Sequence, residues 1–260
     1  MRYINFRNNP IGFFDSGVGG LSVMKKAIEI MPEESYIYYG DSKNAPYGTK
    51  TVDEAKKLTF NAVEFLLQKG AKAIVIACNT ATSAAIKDLR NTYKEIPIIG
   101  IEPALKPAVE SKKEGKIIVM ATPMTLAEKK FNDLMQKHNN HKEIISVPCA
   151  GLVEYIEKGI LTGKSLNDYL QSKLGIYKNN KISNIVLGCT HYPFVKDEIR
   201  NIVGEYPNII DGSYGTAREL KRQLLKLNLK NNNCKNGKVN ILNSSNDDKL
   251  VKLSKKLLEI

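Results

Sequence analysis

Two of the four cysteines in this chain stand at the same kind of place. Ala73-Ile74-Val75-Ile76-Ala77 is an apolar run that ends in Cys78 and the polar pair Asn79-Thr80, and Ile185-Val186-Leu187-Gly188 ends likewise in Cys189, Thr190 and His191. A short β-branched run between small and polar neighbours reads as a strand buried on both faces of a parallel sheet. The residues next in the chain then lie at the strand's carboxyl end, where open α/β sheets bind ligands. A strand-to-helix turn there also presents unpaired N–H groups and a helix dipole, both of which favour a thiolate. The plainer alternative for any single cysteine is a small buried apolar side chain. Two thiols in matching positions, each with hydrogen-bonding neighbours, argue for chemistry instead. A hydrolase needs one nucleophile, a base and an oxyanion hole, which would leave the second thiol idle. Removing a proton from one face of a carbon and returning one to the other needs a base and an acid of matched strength, and thiols serve in either role. The expected chemistry is inversion of a stereocentre.

The elements that must position these thiols alternate strand with helix. Ile11-Gly12-Phe13-Phe14 is a short strand, followed by Asp15-Ser16-Gly17-Val18-Gly19-Gly20 and a helical pattern from Leu21. Such a glycine-rich turn at a helix start can take an anion. It lacks the third glycine of a dinucleotide fingerprint and the lysine and hydroxyl of a Walker A loop, so it is equally a tight turn. Asp15 is a carboxylate where a phosphate cradle would not want one, which turns the reading away from phosphate. A strand at Tyr36-Ile37-Tyr38-Tyr39 leads into a long polar turn, 40–50, containing Pro46-Tyr47-Gly48, and then an amphipathic helix from Val52 to about Gln68. The Cys78 strand comes next, then a helix over 81–93 and a strand at 98–101. From Pro103 the pattern restarts: a strand at 116–121 ending in Thr122 and Thr125, a helix over 126–137, a strand at 144–149, helices near 152–157 and 166–174, and the Cys189 strand. Beyond 208 come a strand at 209–210, a helix through Leu225, an Asn/Lys-rich loop over 226–237 expected to be exposed and to carry an incidental Cys234, a strand at 239–242 and a closing helix. The expected fold class is α/β, with two similar lobes of mostly parallel sheet related by a pseudo-twofold and an active site in the cleft between them. Lobe A spans 1–102 with 208–260 returning to it, and lobe B spans 103–207.

Composition narrows the partners. At 260 residues with 42% hydrophobic and 25% charged, the chain has material for a sizeable core in one or two domains. A formal net charge of +12 first points to nucleic acid, but the lysines are scattered along helical patterns and only 7% of residues are aromatic, so stacking platforms are few. The basic surface fits a small anionic substrate better; no nucleic-acid partner is expected. Cys78, Cys149, Cys189 and Cys234 are too widely spaced for local metal ligation and form no CxxC, so no metal is expected. No signal-peptide core and no membrane-length apolar run occurs, so a cytoplasmic protein with reduced thiols and no membrane partner is expected.

Four stretches together carry a resemblance. Asp15-Ser16-Gly17-Val18-Gly19-Gly20-Leu21, Tyr39-Gly40-Asp41 with Pro46-Tyr47-Gly48, Cys78-Asn79-Thr80-Ala81-Thr82, and Leu187-Gly188-Cys189-Thr190-His191-Tyr192-Pro193 resemble, in order over about residues 10–215, the glutamate racemases of the cofactor-independent aspartate/glutamate racemase family. The segment after Cys189 favours the glutamate branch over the aspartate and hydantoin branches. The resemblance implies interconversion of L- and D-glutamate for peptidoglycan synthesis, without a cofactor, by a homodimer. It implies that Cys78 acts on the α-proton of the D-enantiomer and Cys189 on that of the L-enantiomer, with Asp15 assisting Cys78, and His191 with Glu157 assisting Cys189. Glu154, one turn earlier, rivals Glu157. Substrate contacts would come from Ser16, Asn79, Thr80, Thr122, Thr125 and Thr190, and from backbone groups of Tyr47 and Gly48. Where the family usually has a serine shortly after Thr125, this chain reads Leu126-Ala127-Glu128. Each assistant also has a plainer reading: Asp15 as a helix cap, His191 as a brace of its turn, Glu157 as a solvated helix residue, and Asn79 and Thr80 as N-caps. A non-catalytic dicarboxylate-binding protein is the alternative from another functional class.

Overall fold

The computed structural model describes residues 6–127, 142–178, 181–232 and 236–259. They form two compact units, one running up to Glu102 and resuming at Ser213, the other Pro103–Gly212. The first unit holds β1 (Ile11–Asp15), β2 (Tyr36–Gly40), β3 (Ala73–Ile76), β4 (Ile98–Gly100) and the last strand of the chain, β9 (Val239–Asn243). They lie in the order β4-β3-β1-β2-β9, and every pair is parallel. Helices α1 (Leu21–Ile30), α2 (Val52–Gln68) and α3 (Asn79–Thr92) make the crossovers, and α9 (Ser213–Lys226) and α10 (Asp248–Leu258) come after the return.

Central strands β1 and β3 are buried at every residue, as strands covered by helices on both faces must be. Phe14, Ile74 and Ile76 pack with Ala62, Val63 and Leu66 of α2 and Ala85 and Leu89 of α3. On the helical side, α1 packs against α9 and α10. Each fully buried side chain of this size stabilises by about 1.5–3 kcal/mol, so these faces hold the strand ends in place. Helix α2 starts where its sequence says it should: Thr51 Oγ1 accepts the Glu54 N–H at 3.2 Å while Glu54 Oε2 accepts the Thr51 N–H at 2.9 Å, a reciprocal cap.

The second unit holds β5 (Lys116–Ala121), β6 (Ile144–Pro148), β7 (Ile182–Leu187) and β8 (Asn208–Asp211), in the order β6-β5-β7-β8 and again all parallel. Its helices are α4 (Leu105–Glu110), α5 (Pro123–Ala127), α6 (Leu152–Glu157), α7 (Lys164–Leu174) and α8 (Lys196–Val203). Ile118, Met120, Ile185 and Leu187 face Leu152, Leu166, Leu170 and Ile199 on one side of the sheet. Ile117, Val119 and Val186 face Leu105 and Ala108 on the other. Among the described residues no helix is long and apolar enough to cross a membrane.

The two sheets share one plan. In the first, the chain leaves β1 toward β2 on one side and β3 toward β4 on the other; in the second, β5 leads to β6 and β7 to β8 in the same way. The crevice where the direction of winding reverses lies at the carboxyl ends of β1 and β3 in one unit and of β5 and β7 in the other. Registers match as well: Phe14 lies beside Ile76 and Met120 beside Leu187. The Ala77 N–H donates to the Phe14 carbonyl at 2.8 Å, and the Gly188 N–H to the Met120 carbonyl at 2.7 Å. Cys78 and Cys189 are the next residues, so they occupy equivalent positions in the two plans.

Several expectations need correcting. The strand near 209, expected in the first lobe, pairs with β7, so the return falls at Ser213 and not at 208. The 226–237 loop is not wholly exposed: Asn231 is buried, its N–H donates to Glu34 Oε1 at 2.7 Å, and Glu34 Oε2 pairs with Lys72 Nζ at 2.5 Å inside the unit. That buried carboxylate and ammonium need a polar partner from the loop, which keeps Asn231 inward. Cys234 lies outside the described residues, as does the expected helix over 126–137 from residue 128 onward.

Candidate active site

At the carboxyl end of β3, Cys78 caps α3. Its Sγ accepts the Ala81 N–H at 3.5 Å, which makes the thiol itself the N-cap. Asn79 and Thr80 then form the first helical turn, with Thr82 Oγ1 donating to the Ile76 carbonyl at 3.1 Å. Ser16, just beyond β1, places its Oγ 3.5 Å from Cys78 Sγ. A sulfur carrying negative charge at this point meets a hydroxyl, a backbone N–H and the positive end of a 14-residue helix.

Asp15 ends β1 and is fully buried, its Oδ1 accepting the Gly17 N–H at 2.9 Å. It does not cap α1, whose N-cap, Gly20, has no side-chain cap. Gly20 is instead what lets the strand end approach: a Cβ built there would lie 2.7 Å from the Asp15 Cβ and 2.8 Å from the Ala77 Cβ, closer than such atoms ever sit. Tyr47 is buried, packs on Phe14 with ring centroids 5.9 Å apart, and donates its hydroxyl to Asp41 Oδ2 at 2.7 Å. Burial and that bond both raise the Tyr47 pKa, so the hydroxyl stays a donor. The Tyr47 side chain is thereby engaged within the unit.

The second unit's thiol has different company. Cys189 does not open an α-helix, as expected from sequence: a short 3-10 turn, Tyr192–Val195, comes first, and α8 begins only at Lys196. Instead, His191 Nδ1 stands 3.7 Å from Cys189 Sγ, and His191 Nε2 stands 2.6 Å from Glu157 Oε1. Of the two carboxylates on α6, it is Glu157 that meets the imidazole. Burial alone would lower the His191 pKa, but the hydrogen bonds and charges of Cys189 and Glu157 outweigh it and hold the pKa well above 6.5. That shift favours the charged ring, the form that can donate from both nitrogens. Thr190 is buried beside it.

At the end of β5, Thr122 caps α5: its Oγ1 accepts the Thr125 N–H at 3.2 Å, and the two hydroxyls are 3.0 Å apart. Leu126 and Ala127 complete α5, while Glu128 lies outside the described residues. Cys149, in contrast, is buried at the end of β6 with its pKa pushed up to about 12 by burial, and it remains a neutral thiol. Sequence reasoning missed the Asp41 side chain as the partner of the Tyr47 hydroxyl, although Tyr39-Gly40-Asp41 ends a strand beside Asp15. Among the described residues no group of three or more His, Cys, Asp or Glu is placed to hold a metal ion.

Comparison with known proteins agrees with this geometry. The family model described as Asp/Glu/hydantoin racemase matches residues 12–219. A glutamate racemase from Clostridium novyi is 67% identical over 252 residues, covering 96% of this chain and 97% of that protein. Among solved structures, a glutamate racemase from Francisella tularensis in complex with D-glutamate is 31% identical, with a TM-score of 0.82 over 98% of this chain and 95% of that one. One from Escherichia coli, in complex with L-glutamate and the activator UDP-MurNAc-Ala, is 26% identical, with a TM-score of 0.84 over 96% and 95%. With strand ends, thiols and relatives in agreement, the chain belongs to the Asp/Glu/hydantoin racemase family.

Proposed function

We propose that this protein is a glutamate racemase, an isomerase that interconverts L- and D-glutamate at the α-carbon and supplies D-glutamate for peptidoglycan synthesis. The observation that carries the reading is the pair of thiols in equivalent positions at the two sheets' reversal points, each already furnished with donors. One sulfur, as thiolate, takes the α-proton; the other, as thiol, returns a proton to the opposite face of the planar carbanion. Cys78 acts on the D-enantiomer and Cys189 on the L-enantiomer.

Carbanion charge spreads into the substrate's α-carboxylate, so stabilising it falls to donors that grip those oxygens. Ser16, Asn79, Thr80, Thr122, Thr125 and Thr190, with backbone groups of Tyr47 and Gly48, supply that set in this reading. Asp15 assists Cys78. His191, held in its charged form against Glu157, offers Cys189 an N–H and a counter-charge whenever the sulfur is ionised, and Glu157 keeps the ring oriented. The reading needs no cofactor or metal. It places the protein in the cytoplasm, where thiols stay reduced, as a homodimer with glutamate as its small-molecule partner and no nucleic-acid or membrane partner.

The test is L-glutamate incubated with the protein in heavy water. Deuterium should enter the α-position, seen by NMR, while the optical rotation decays toward zero. Binding of glutamate with no exchange at the α-carbon would instead mark a dicarboxylate-binding protein.

A further inference from the structure

Asp41 is a buried carboxylate that the two-thiol mechanism leaves without a task. It sits just past β2, 3% exposed, with its N–H donating to the Asp15 carbonyl at 2.9 Å. Its side chain is taken up by donors. Oδ2 accepts the Tyr47 hydroxyl at 2.7 Å, and both oxygens accept from Asn44 Nδ2 at 3.0 Å. One side chain thus ties the end of β1, which carries Asp15, to the turn that carries Tyr47 and Gly48.

The first residues of that turn are also tied to the end of β9, where Asn243 Nδ2 donates to Ser42 Oγ at 2.8 Å and the Lys43 N–H donates to Ser244 Oγ at 3.0 Å; among the described residues no comparable tie from β9 holds the Tyr47–Thr49 part of the turn. The turn consists of two short 3-10 turns, Ser42–Asn44 and Tyr47–Thr49. Its backbone-to-backbone bonds are local: Asn44 N–H to the Asp41 carbonyl at 3.1 Å, Ala45 N–H to the Ser42 carbonyl at 3.3 Å, and Lys50 N–H to the Tyr47 carbonyl at 3.1 Å. Local turn bonds shape a loop but do not place it against the sheet; side-chain anchors do that. The Tyr47 ring packed on Phe14 supplies the apolar anchor, and its hydroxyl on Asp41 sets the depth and direction.

The scaffold itself does not ask for a carboxylate here. In the second unit the equivalent position is Cys149, whose N–H donates to the Ala121 carbonyl at 2.9 Å as Asp41 donates to Asp15. There the neighbouring strand end is braced by the Tyr192 hydroxyl on the Cys149 carbonyl at 3.3 Å, with a neutral thiol as the side chain. A buried carboxylate costs desolvation that a thiol avoids, so its presence in only one of two like scaffolds calls for a reason outside the scaffold.

We infer that Asp41 is a positioning residue for substrate binding: through the Tyr47 hydroxyl and Asn44 it sets the backbone of Tyr47 and Gly48 at the height from which they grip a substrate carboxylate. Its own charge, shared among three hydrogen bonds, is not offered to the anionic substrate. The inference rests on the racemase reading.

The experiment is steady-state racemisation of glutamate by the wild type and by Asp41→Ala, Asp41→Asn and Tyr47→Phe, each checked for a folded state by circular dichroism and a thermal midpoint. A misplaced carboxylate grip weakens ground-state binding, so Asp41→Ala should raise KM about tenfold while kcat falls by a smaller factor. Asp41→Asn still accepts the Tyr47 hydroxyl through Oδ1 and should recover most of that loss. Tyr47→Phe keeps the ring in the core and carries the test should Asp41→Ala fail to fold; in the double variant the two KM effects should not multiply, because both cut one link. A wild-type KM in folded Asp41→Ala or Tyr47→Phe, with only the thermal midpoint lowered, overturns the inference and leaves Asp41 a purely structural anchor. A wild-type protein that does not turn over glutamate overturns the racemase reading itself, and this inference with it.

Discussion

The two strand ends that carry Cys78 and Cys189 are built on one plan and furnished by different means. Cys78 is itself the N-cap of a long helix, with the Ala81 N–H and the Ser16 hydroxyl each 3.5 Å from its sulfur. Cys189 precedes a 3-10 turn of four residues and has an imidazole at 3.7 Å, backed by a carboxylate at 2.6 Å. A helix terminus and a charged imidazole are two ways to place positive potential and a donor at a sulfur. Equivalence in a fold therefore constrains where a reactive group stands and leaves open how it is supported. The two supports also differ in kind: a backbone dipole cannot be titrated away, and an imidazole can be deprotonated.

The largest effects should treat the two ends alike. Cys78→Ala and Cys189→Ala should each lower racemisation by about 10³- to 10⁴-fold, the upper range for removing an acid–base group, with thermal midpoints little changed. Wild-type turnover by either variant would break the equivalence and the two-thiol reading together. A smaller effect should separate them. His191→Asn should lower kcat/KM by about 10²-fold in both directions, because enantiomers are equal in free energy. The slowed step, however, belongs to Cys189, so the primary isotope effect should grow for α-deuterated L-glutamate and not for the D-enantiomer. Equal growth for both would show that the imidazole serves the whole site rather than one sulfur.

The smallest effect concerns stability. Because the folded His191 pKa is raised, its stabilising contribution is present in full below its ordinary value of 6.5 and fades as pH rises through the raised value. Glu157→Gln removes one cause of that raise. The gap in thermal midpoint between wild type and Glu157→Gln should accordingly be widest on the acid side of 6.5 and narrow toward alkaline pH. A gap that stays constant or widens with pH would mean that the pair does not carry a proton as the geometry requires.

Much of this molecule is legible residue by residue. The apolar runs at 73–76 and 185–187 predict fully buried strands, and both are buried at every position, the second lying in a strand that starts three residues earlier, at Ile182. The Val52–Gln68 helix matches the expected bounds because its capping box and its closing Lys69-Gly70 are local signals. Helix α4 escapes a sequence reading because it is six residues long with Pro107 inside it, too short to show a period and broken by a residue that opposes one. Glu154 and Glu157 lie three residues apart on one helix, hence on nearly the same face, so periodicity does not choose between them. The 226–237 loop looks like solvent-facing Asn and Lys because nothing near it in sequence announces the buried Glu34–Lys72 pair that draws Asn231 inward.

Local signals in the chain thus specify most of the strands and helices, the carboxyl-end addresses of Asp15, Ser16, Cys78, Thr122 and Cys189, and the family to which they point. The elements and the addresses arise from burial patterns and backbone preferences that act over a few residues, and the family from the resemblance of four short stretches. Folding in three dimensions adds the strand orders that put both thiols at reversal points, the partnering of Glu157 with a histidine 34 residues away, the 3-10 turn in place of a helix start at Cys189, and the use of Asp41. Those depend on which side chains the packed sheets bring within hydrogen-bond distance, and spacing along the chain does not encode a contact that packing creates.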